Sequence, residues 1–427
     1  MSTQFPADQY EALPSNIDGI TVFKQRKQEA EHRQIVSFNC PNCGGTQAYS
    51  TEDGMLCCTY CSHLSPPPTT SATPSLRTFV SAPAVHQKHE FKLDTLEEAA
   101  ESWAPGNIDL DCQTCGAHVT LPPQQLSHVC PFCHSTHVIE QKRRDDALSP
   151  QALIPFCVEP SSCAAPARAW MSNHWLVPKD AKEAIREEAF RMVYVPYWVF
   201  DADAHAVWKA EVGYTYTSTD GEGNVSSHTQ WKWKRGTKSF PFQNVLVSGS
   251  DHLDKQMLRK LSDFSLEGLV PYGADFLAGI PAQAYEVKLE DAWQIGRGRI
   301  RETMKIACKK APGKNKIRNF SMEMKLSDET WKYILLPYIL SSYHYDGKDY
   351  QIMVNGQTGD IAGYRPVDRK KLNLYSLLAF VPGLLIMLFT LMGGAEGEMA
   401  SIIGLVGLVA GGIAAFSFHK TAQALQG

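Results

Sequence analysis

Two four-cysteine groups of identical spacing constrain this chain more than any other feature: Cys40-x2-Cys43, fourteen residues, Cys58-x2-Cys61, and again Cys112-x2-Cys115, fourteen residues, Cys130-x2-Cys133. A C-x2-C knuckle turns the backbone so that two sulfurs face one point, and two knuckles supply the four soft ligands that tetrahedral Zn²⁺ takes in a closed structural site. Gly44 and Gly116, each directly after a second cysteine, suit the left-handed residue such a knuckle needs. The pattern predicts two zinc ribbons and two structural zinc ions. Cys57 stands beside Cys58 as a rival ligand, and Cys58 is preferred because it completes the C-x2-C. His63, His118, His128, His134 and His137 crowd the same segments and are read as surface residues, since four thiolates already fill each site. Cys157, Cys163 and Cys308 are scattered and are expected to be buried as small apolar residues. Disulfides are disfavoured: Met1 to Tyr10 shows no basic stretch leading into an apolar run, so no export signal is read there.

Zinc ribbons commonly meet nucleic acid through cations, and these lack them. No Lys or Arg lies between Arg33 and Arg77 or between Lys92 and Lys142, while Glu52, Asp53, Asp109 and Asp111 add negative charge. Phosphate contacts need cations, and a net charge of −4 supplies no general field. Nucleic acid is therefore disfavoured as a partner, and protein contact or a purely structural role is expected.

The other strong constraint lies at the C-terminus. Leu374 to Met392 and Met399 to Phe418 carry no charge, and their 19 and 20 residues each span roughly 30 Å as helix, the thickness of a bilayer's hydrocarbon core. Gly393 to Glu398 joins them with two glutamates, whereas Arg369, Lys370 and Lys371 precede the first stretch and His419 and Lys420 follow the second. A two-helix transmembrane hairpin with both termini in the cytoplasm follows from that asymmetry. Gly407-x3-Gly411 permits close packing of the two helices.

Between these ends lies a mixed pattern. Val193 to Tyr216, Ser227 to Phe240, Lys316 to Leu326 and Trp331 to Tyr345 are rich in aromatic and β-branched residues and predict strands. Ala181 to Met192 and Lys288 to Lys310 predict helices, the second with Leu289, Trp293, Ile300, Met304 and Ala307 on one face. Asn355-Gly356-Gln357-Thr358-Gly359 predicts a hairpin turn. Val195-Pro196-Tyr197 and Leu336-Pro337-Tyr338, with Ile154-Pro155-Phe156 and Val270-Pro271-Tyr272, form an internal echo that admits either a duplicated subdomain or proline marking strand starts. The expected fold class is multi-domain: two small zinc ribbons, an α+β body with mostly antiparallel sheet, and the C-terminal hairpin. The segments are a polar tail (1–35), ribbon 1 (36–64), a Pro/Ser/Thr-rich linker (65–106), ribbon 2 (107–140), the body (150–371), and transmembrane helices at 372–394 and 399–419.

No Walker A sequence, dinucleotide-binding glycine pattern, H-E-x-x-H or G-x-S-x-G occurs. Asp201 and Asp203 share a strand face and are read as exposed carboxylates in preference to a cation site. Arg297, Arg299, Arg301, Lys305, Lys309 and Lys310 are read as a solvated helix face in preference to a head-group site. No catalytic or small-molecule site is assigned.

Cys40-Pro41-Asn42-Cys43-Gly44-Gly45, Cys130-Pro131-Phe132-Cys133, the block Tyr194-Val195-Pro196-Tyr197-Trp198-Val199-Phe200-Asp201-Ala202-Asp203, Leu335-Leu336-Pro337-Tyr338, Val354-Asn355-Gly356-Gln357-Thr358-Gly359 and the terminal hydrophobic pair together resemble a bacterial family of membrane-anchored zinc-ribbon proteins. Members are often labelled transcription-factor-IIB-type zinc ribbons or primosomal helicase relatives, and the resemblance covers roughly residues 36 to 419. It implies a partnership with an SPFH-domain (flotillin-like) or phage-shock-type scaffold in envelope stress. The combined expectation is a non-enzymatic, zinc-binding adaptor in the inner (cytoplasmic) membrane. The competing expectation is a membrane-tethered nucleic-acid-binding regulator.

Overall fold

The computed structural model describes residues 10–13, 22–25, 40–45, 47–50, 53–66, 89–90, 108–114, 116–121, 130, 132, 135, 138–141, 148–219, 225–277, 279–391 and 398–426. The chain divides into two units, 1–37 and 38–427. In the first, where composition suggests only a polar tail, β1 (Tyr10–Leu13) and β2 (Val22–Gln25) pair antiparallel.

The second unit begins with a three-stranded antiparallel sheet of β3 (Gln47–Ser50), β4 (Met55–Cys58) and β5 (Leu64–Ser65). After β6 (His89–Glu90) come β7 (Ile108–Cys112), β8 (His118–Leu121) and β9 (Val138–Gln141), with β7 pairing antiparallel to both others. The body follows as β10 (Ala152–Leu153), α1 (Pro160–Ser172), β11 (Arg191–Thr219), β12 (Val225–Ser248), α2 (Lys255–Lys260), β13 (Val270–Pro271), β14 (Ala282–Gln283), α3 (Leu289–Lys310), β15 (Ile317–Tyr345), β16 (Lys348–Asn355) and β17 (Ile361–Gly363). Two apolar helices, α4 (Arg369–Leu391) and α5 (Glu398–Gln426), close the chain.

The body is α+β, and its sheet is mostly antiparallel around the long ladder of β11 against β15. Residues 193–200 of β11, Val-Tyr-Val-Pro-Tyr-Trp-Val-Phe, are buried on both faces. A continuous apolar run does this when both sides of a sheet are covered. On one side Tyr194, Trp198, Phe200, Trp331 and Tyr333 meet α1 and α3. On the other, Val195, Tyr197, Val199, Ile334, Leu336 and Tyr338 meet α2 and the β7–β9 ribbon. Beyond Phe200 the strand changes character: Ala202, Ala204, Ala206 and Ala210 are buried while Asp203, His205, Val207 and Lys209 are exposed. Here one face is covered, by α3, and the other is open, so the period becomes two.

The sequence echo has a structural basis. Val195 pairs with Leu336, and on either side Pro196 pairs with Leu335 and Tyr194 with Pro337. A half-turn about that central pair exchanges β10–α1–β11–β12 with β14–α3–β15–β16. The parallel partners exchange too, Leu153 with Leu335 against Ala282 with Tyr194. So do the backbone bonds: the amides of Cys157 and Val158 donate to the Gly356 carbonyl (2.8 and 3.1 Å), as those of Glu286 and Val287 donate to that of Gly249 (2.8 and 3.0 Å). The hydroxyls of Tyr197 and Tyr338 meet beside the axis at 2.8 Å.

Several expectations need correction. The helix expected over Ala181 to Met192 is two 3₁₀ turns, Ala181–Ala184 and Glu187–Ala189, followed directly by β11. Arg168 donates two hydrogen bonds to the Ile185 carbonyl, and Arg191 and Met192 are already paired with Leu340 and Ile339. Sheet pairing leaves no length for a helix. On α3 Cys308, rather than Ala307, turns into the core. Cys157 is exposed, unlike Cys163 and Cys308. Ribbon 2 is continuous with the body sheet, because β8 pairs with β14 through Thr120–Ala282 and Val119–Gln283. The linker residues 67–88 and 91–106, and the 392–397 connection, lie outside the described residues.

Among the described residues, Leu405–Leu425 is the stretch long and apolar enough to cross a membrane. It lies in α5, which packs on α4: a Cβ added at Gly411 would stand 2.4 Å from the Ala379 carbonyl oxygen. The pair is tied to the body at its base. Leu425 accepts a hydrogen bond from the Arg365 amide, Leu176 accepts one from the Asp368 amide, and Leu176, Leu372 and Ala422 are buried together.

Candidate metal centre

The first ribbon gathers Cys40, Cys43, Cys58 and Cys61, with all four Sγ atoms within 4.8 Å of one another. Cys40 Sγ lies 3.6 Å from Cys61 Sγ, and Cys43 Sγ lies 3.5 Å from Cys58 Sγ. A tetrahedron of sulfurs about 2.3 Å from zinc has edges of about 3.8 Å. The donor set and its dimensions therefore fit a zinc ion.

Each knuckle is made by the same backbone device. The Cys40 amide donates to the Gly45 carbonyl at 2.7 Å and the Gly44 amide returns to Cys40 at 2.8 Å. The Cys58 amide donates to His63 at 3.0 Å and the Ser62 amide returns to Cys58 at 3.0 Å. Gly44 takes φ +74° in the first and Ser62 takes φ +55° in the second. A glycine adopts this conformation without cost and a serine does not.

The electrostatics call for a cation. The His63 amide, and then the Asn42 side chain, draw the Cys61 thiol down to about 6. The Cys61 amide, aided by that of Tyr60, lowers Cys58. At Cys43 the Gly45 amide also pulls downward, but the neighbouring Cys61 and Cys58 sulfurs outweigh it and push the thiol up to about 12. Four thiolates this close repel one another, and a divalent ion removes the conflict. Cys57 is outside the group; its Sγ turns back toward the Cys58 carbonyl. Strand alternation explains the choice, since Leu56 and Cys58 share the buried face of β4.

The second ribbon repeats the device. The Cys112 amide donates to Ala117 at 3.0 Å, the Gly116 amide returns to Cys112 at 2.7 Å, and the Cys130 amide donates to Ser135 at 2.9 Å. Gly116 takes φ +76°. Thr114 and Ser135, one from each knuckle, hydrogen bond at 2.6 Å and hold the two turns side by side. Cys112 and Cys130 are buried. Cys115 and Cys133 lie outside the described residues, as do His128, His134 and His137. His118 pairs with Asp111, and no histidine joins the described sulfur cluster.

Both ribbons are seated on the body. Tyr49 of β3 packs against Phe276 with ring centroids 5.3 Å apart, and with Leu56 it joins the α1/α3 side of the core. Ribbon 2 contributes Leu110, Val119 and Phe132 to the opposite side, where His252, held by Glu286 at 2.7 Å, stands against Gly116. These seats, the Asn42 donor and the Thr114–Ser135 clasp were not read from the sequence. Asn42 sits inside the C-x2-C, and that position was its only signal.

The other polar candidates have structural employment. Asp201 accepts from the Asn244 amide at 2.6 Å and braces a β-bulge, where the register with β12 shifts between Phe200 and Ala202. Asp203 is exposed opposite Pro241. Arg299 of α3 donates to the Leu246 carbonyl. An open surface hollow of about 530 Å³ beside α1 is lined by Arg168, Ser172, Lys182 and Glu183, and Arg168 is bound to Ile185 and Glu187.

No family model matches the chain, and no solved structure matches it. The chain is 23% identical over 338 residues to an uncharacterized protein, YdjG, of Bacillus subtilis (strain 168), a match that covers 79% of this chain and 92% of that protein.

Proposed function

We propose that this protein is a non-enzymatic adaptor of the cytoplasmic membrane, whose zinc-stiffened ribbons and α+β body form a docking surface for a soluble scaffold protein. The observation that carries the reading is the union of apolar helix and body. α5 does not trail from a linker; its last turns are hydrogen bonded and packed into the base of the body through Leu425, Ala422, Leu372 and Leu176. An anchor built in this way fixes the orientation of everything above it, which suits a platform. In this reading α4 and α5 cross the bilayer as a hairpin with both termini in the cytoplasm. Trp175, 46% exposed and edge-on to Tyr375 and Phe418 at 4.9 and 5.6 Å, marks the interface.

Each ribbon holds one zinc, the second through Cys112, Cys115, Cys130 and Cys133. The metals stiffen the platform and take no part in chemistry, because four thiolates close the coordination shell. The resemblance to membrane-anchored zinc-ribbon proteins suggests an SPFH-domain or phage-shock-type scaffold as the partner.

The test is removal of residues 372–427. The truncated protein is expected in the cytosol, and a scaffold that depends on it should leave the membrane with it. Full-length protein that yields no protein partner on crosslinking in its own cells, yet binds DNA or RNA at physiological salt, would overturn the adaptor reading. It would favour the alternative, a membrane-tethered nucleic-acid regulator.

A further inference from the structure

β11 runs for 29 residues, about 95 Å at 3.3 Å per residue, and its far half forms an arm with β12 and the first part of β15, backed on one face by α3. Among the described residues β12 pairs with β11 alone. From Val225 to Phe240 its outer edge therefore offers a row of backbone donors and acceptors. Such an edge is a template for another strand.

The side chains along this edge are sorted by face. Residues directly opposite in a ladder share a face. Lys232, Lys234 and Lys238 stand opposite Val212, Ala210 and Ala206, on the side where α3 lies. More lysines converge there. Lys314 joins Lys232 and Lys234 around the Tyr214 ring, at 5.7, 5.8 and 5.6 Å, while Lys309 sits over Phe320 and Lys310 ends α3. Among the described residues none of these six forms an ion pair. The opposite face carries Trp231 and Trp233, the second 54% exposed, with Arg318 and Lys209 over their rings at 4.1 and 4.4 Å. The edge thus shows lysines on one side and, on the other, indoles accompanied by Lys209, Arg235 and Arg318, in a chain whose net charge is −4.

We infer that the free edge of β12 is a docking site for an extended protein segment in which acidic and apolar residues alternate, bound by strand addition. An added strand would place every second side chain beside Lys232, Lys234 and Lys238 and the others beside Trp231 and Trp233. The same lysines oppose a second copy of this chain, since β12 against β12 would bring like charges together; the edge is selective as well as open. Nucleic acid is less well suited, because it would leave the row of backbone donors and acceptors along the edge unused. The inference rests on the adaptor reading for its purpose, but it is tested separately. Peptide binding in detergent can fail while membrane recruitment of a scaffold stands, and the reverse.

The experiment is a fluorescence-anisotropy titration of full-length protein in detergent with a labelled ten-residue Glu-Val repeat. Three comparison probes are the same peptide N-methylated at every second residue, a Lys-Val repeat, and a twenty-residue oligo-dT. The Glu-Val peptide should bind best, and N-methylation should weaken it at least tenfold by removing inter-strand donors. The triple variant K232E/K234E/K238E should lose at least tenfold for the Glu-Val peptide and gain affinity for the Lys-Val peptide. That rescue shows a folded arm. Equal binding of the methylated peptide, indifference to the triple variant, or tighter binding of oligo-dT than of the Glu-Val peptide would each overturn the inference, the last assigning the surface to nucleic acid.

Discussion

Replacing Cys58 by serine should remove one zinc ion per chain and unseat the first ribbon, while the same change at Cys57 should do neither. The structure sets the magnitude. Cys58 Sγ is one corner of a group spanning at most 4.8 Å and lies 3.5 Å from Cys43 Sγ. Its loss leaves three thiolates and an open position in a site meant to be closed. Structural zinc contributes about 10–16 kcal/mol to small metal domains, far more than a four-residue hairpin such as β3–β4 can supply alone. Releasing the ribbon also exposes Tyr49 and Leu56, 8% and 2% exposed in the intact fold, at a cost of about 2 kcal/mol for each side chain. Phe276 loses its ring partner. The effect should extend beyond the ribbon as a lower melting midpoint for the body. The assay is elemental zinc per chain, with thermal unfolding in detergent followed by tryptophan fluorescence. Zinc content unchanged in Cys58→Ser, or an equal loss in Cys57→Ser, would refute the reasoning.

Three other expectations follow from particular contacts. Tyr197→Phe should cost about 1–3 kcal/mol, because it strands the buried Tyr338 hydroxyl without its partner, and the double change with Tyr338→Phe should cost less than the sum of the two; additive losses in chemical unfolding would contradict this. Gly411→Ile should split α5 from α4, since the added side chain meets the Ala379 backbone. A cysteine crosslink engineered between the helices should then fail to form, and its persistence would show that the helices pack elsewhere. Asp254 caps α2 through the amides of Gln256 and Met257. Burial raises its carboxyl, but the Tyr364 hydroxyl and those two amides outweigh burial and hold it below the ordinary value. Its contribution should be complete above about pH 4 and fade as pH falls through the lowered value, and Asp254→Asn should flatten that part of the stability profile.

How much of this was legible in the sequence depended on whether the signal was local. The knuckles were legible because C-x2-C and the glycine after it specify their own turn. The Asn355–Gly359 turn and the helix over Leu289–Lys310 were legible for the same reason. Ala181 to Met192 misled because its helical composition is overruled by the pairing of Arg191 and Met192 with β15. The repeat was audible only at Val195-Pro196-Tyr197 and Leu336-Pro337-Tyr338. The rest of the likeness is in backbone hydrogen bonds that do not depend on side-chain identity, as where Cys157 stands against Glu286. The bulges were hidden for a related reason: Asn244, Asn319 and Asp328, at φ +58°, +49° and +52°, look like ordinary polar strand residues until the register shows the extra residue each accompanies. The lysines of β12 and those after α3 are more than seventy residues apart in sequence, and only the fold brings them onto one face.

The departures from two-fold symmetry are informative about where this protein acts. The shared part, from Tyr194 to Val199 and from Leu335 to Leu340, is almost wholly buried, so it serves stability and presents little to a partner. Each repeat then adds something the other lacks. The first sends β11 and β12 on past the core. The second lengthens its helix from the 13 residues of α1 to the 22 of α3, and that added length backs the alanine face of the arm. At the other end, β17 leads from the second repeat into α4 and so to the apolar pair. The apolar pair and the arm consequently leave opposite ends of the β11–β15 ladder: Leu340, near the end that leads to α4, pairs with Arg191, while Ile317 pairs with Val212. If the arm captures a partner, the bound segment is held tens of ångströms from the apolar helices. Shortening the arm by removing equal numbers of residues from β11 and β12 beyond Lys209 should abolish peptide capture and leave membrane insertion and zinc content intact. Loss of all three together would mean that the arm is part of the core's stability, and that the division of labour between the two ends is wrong.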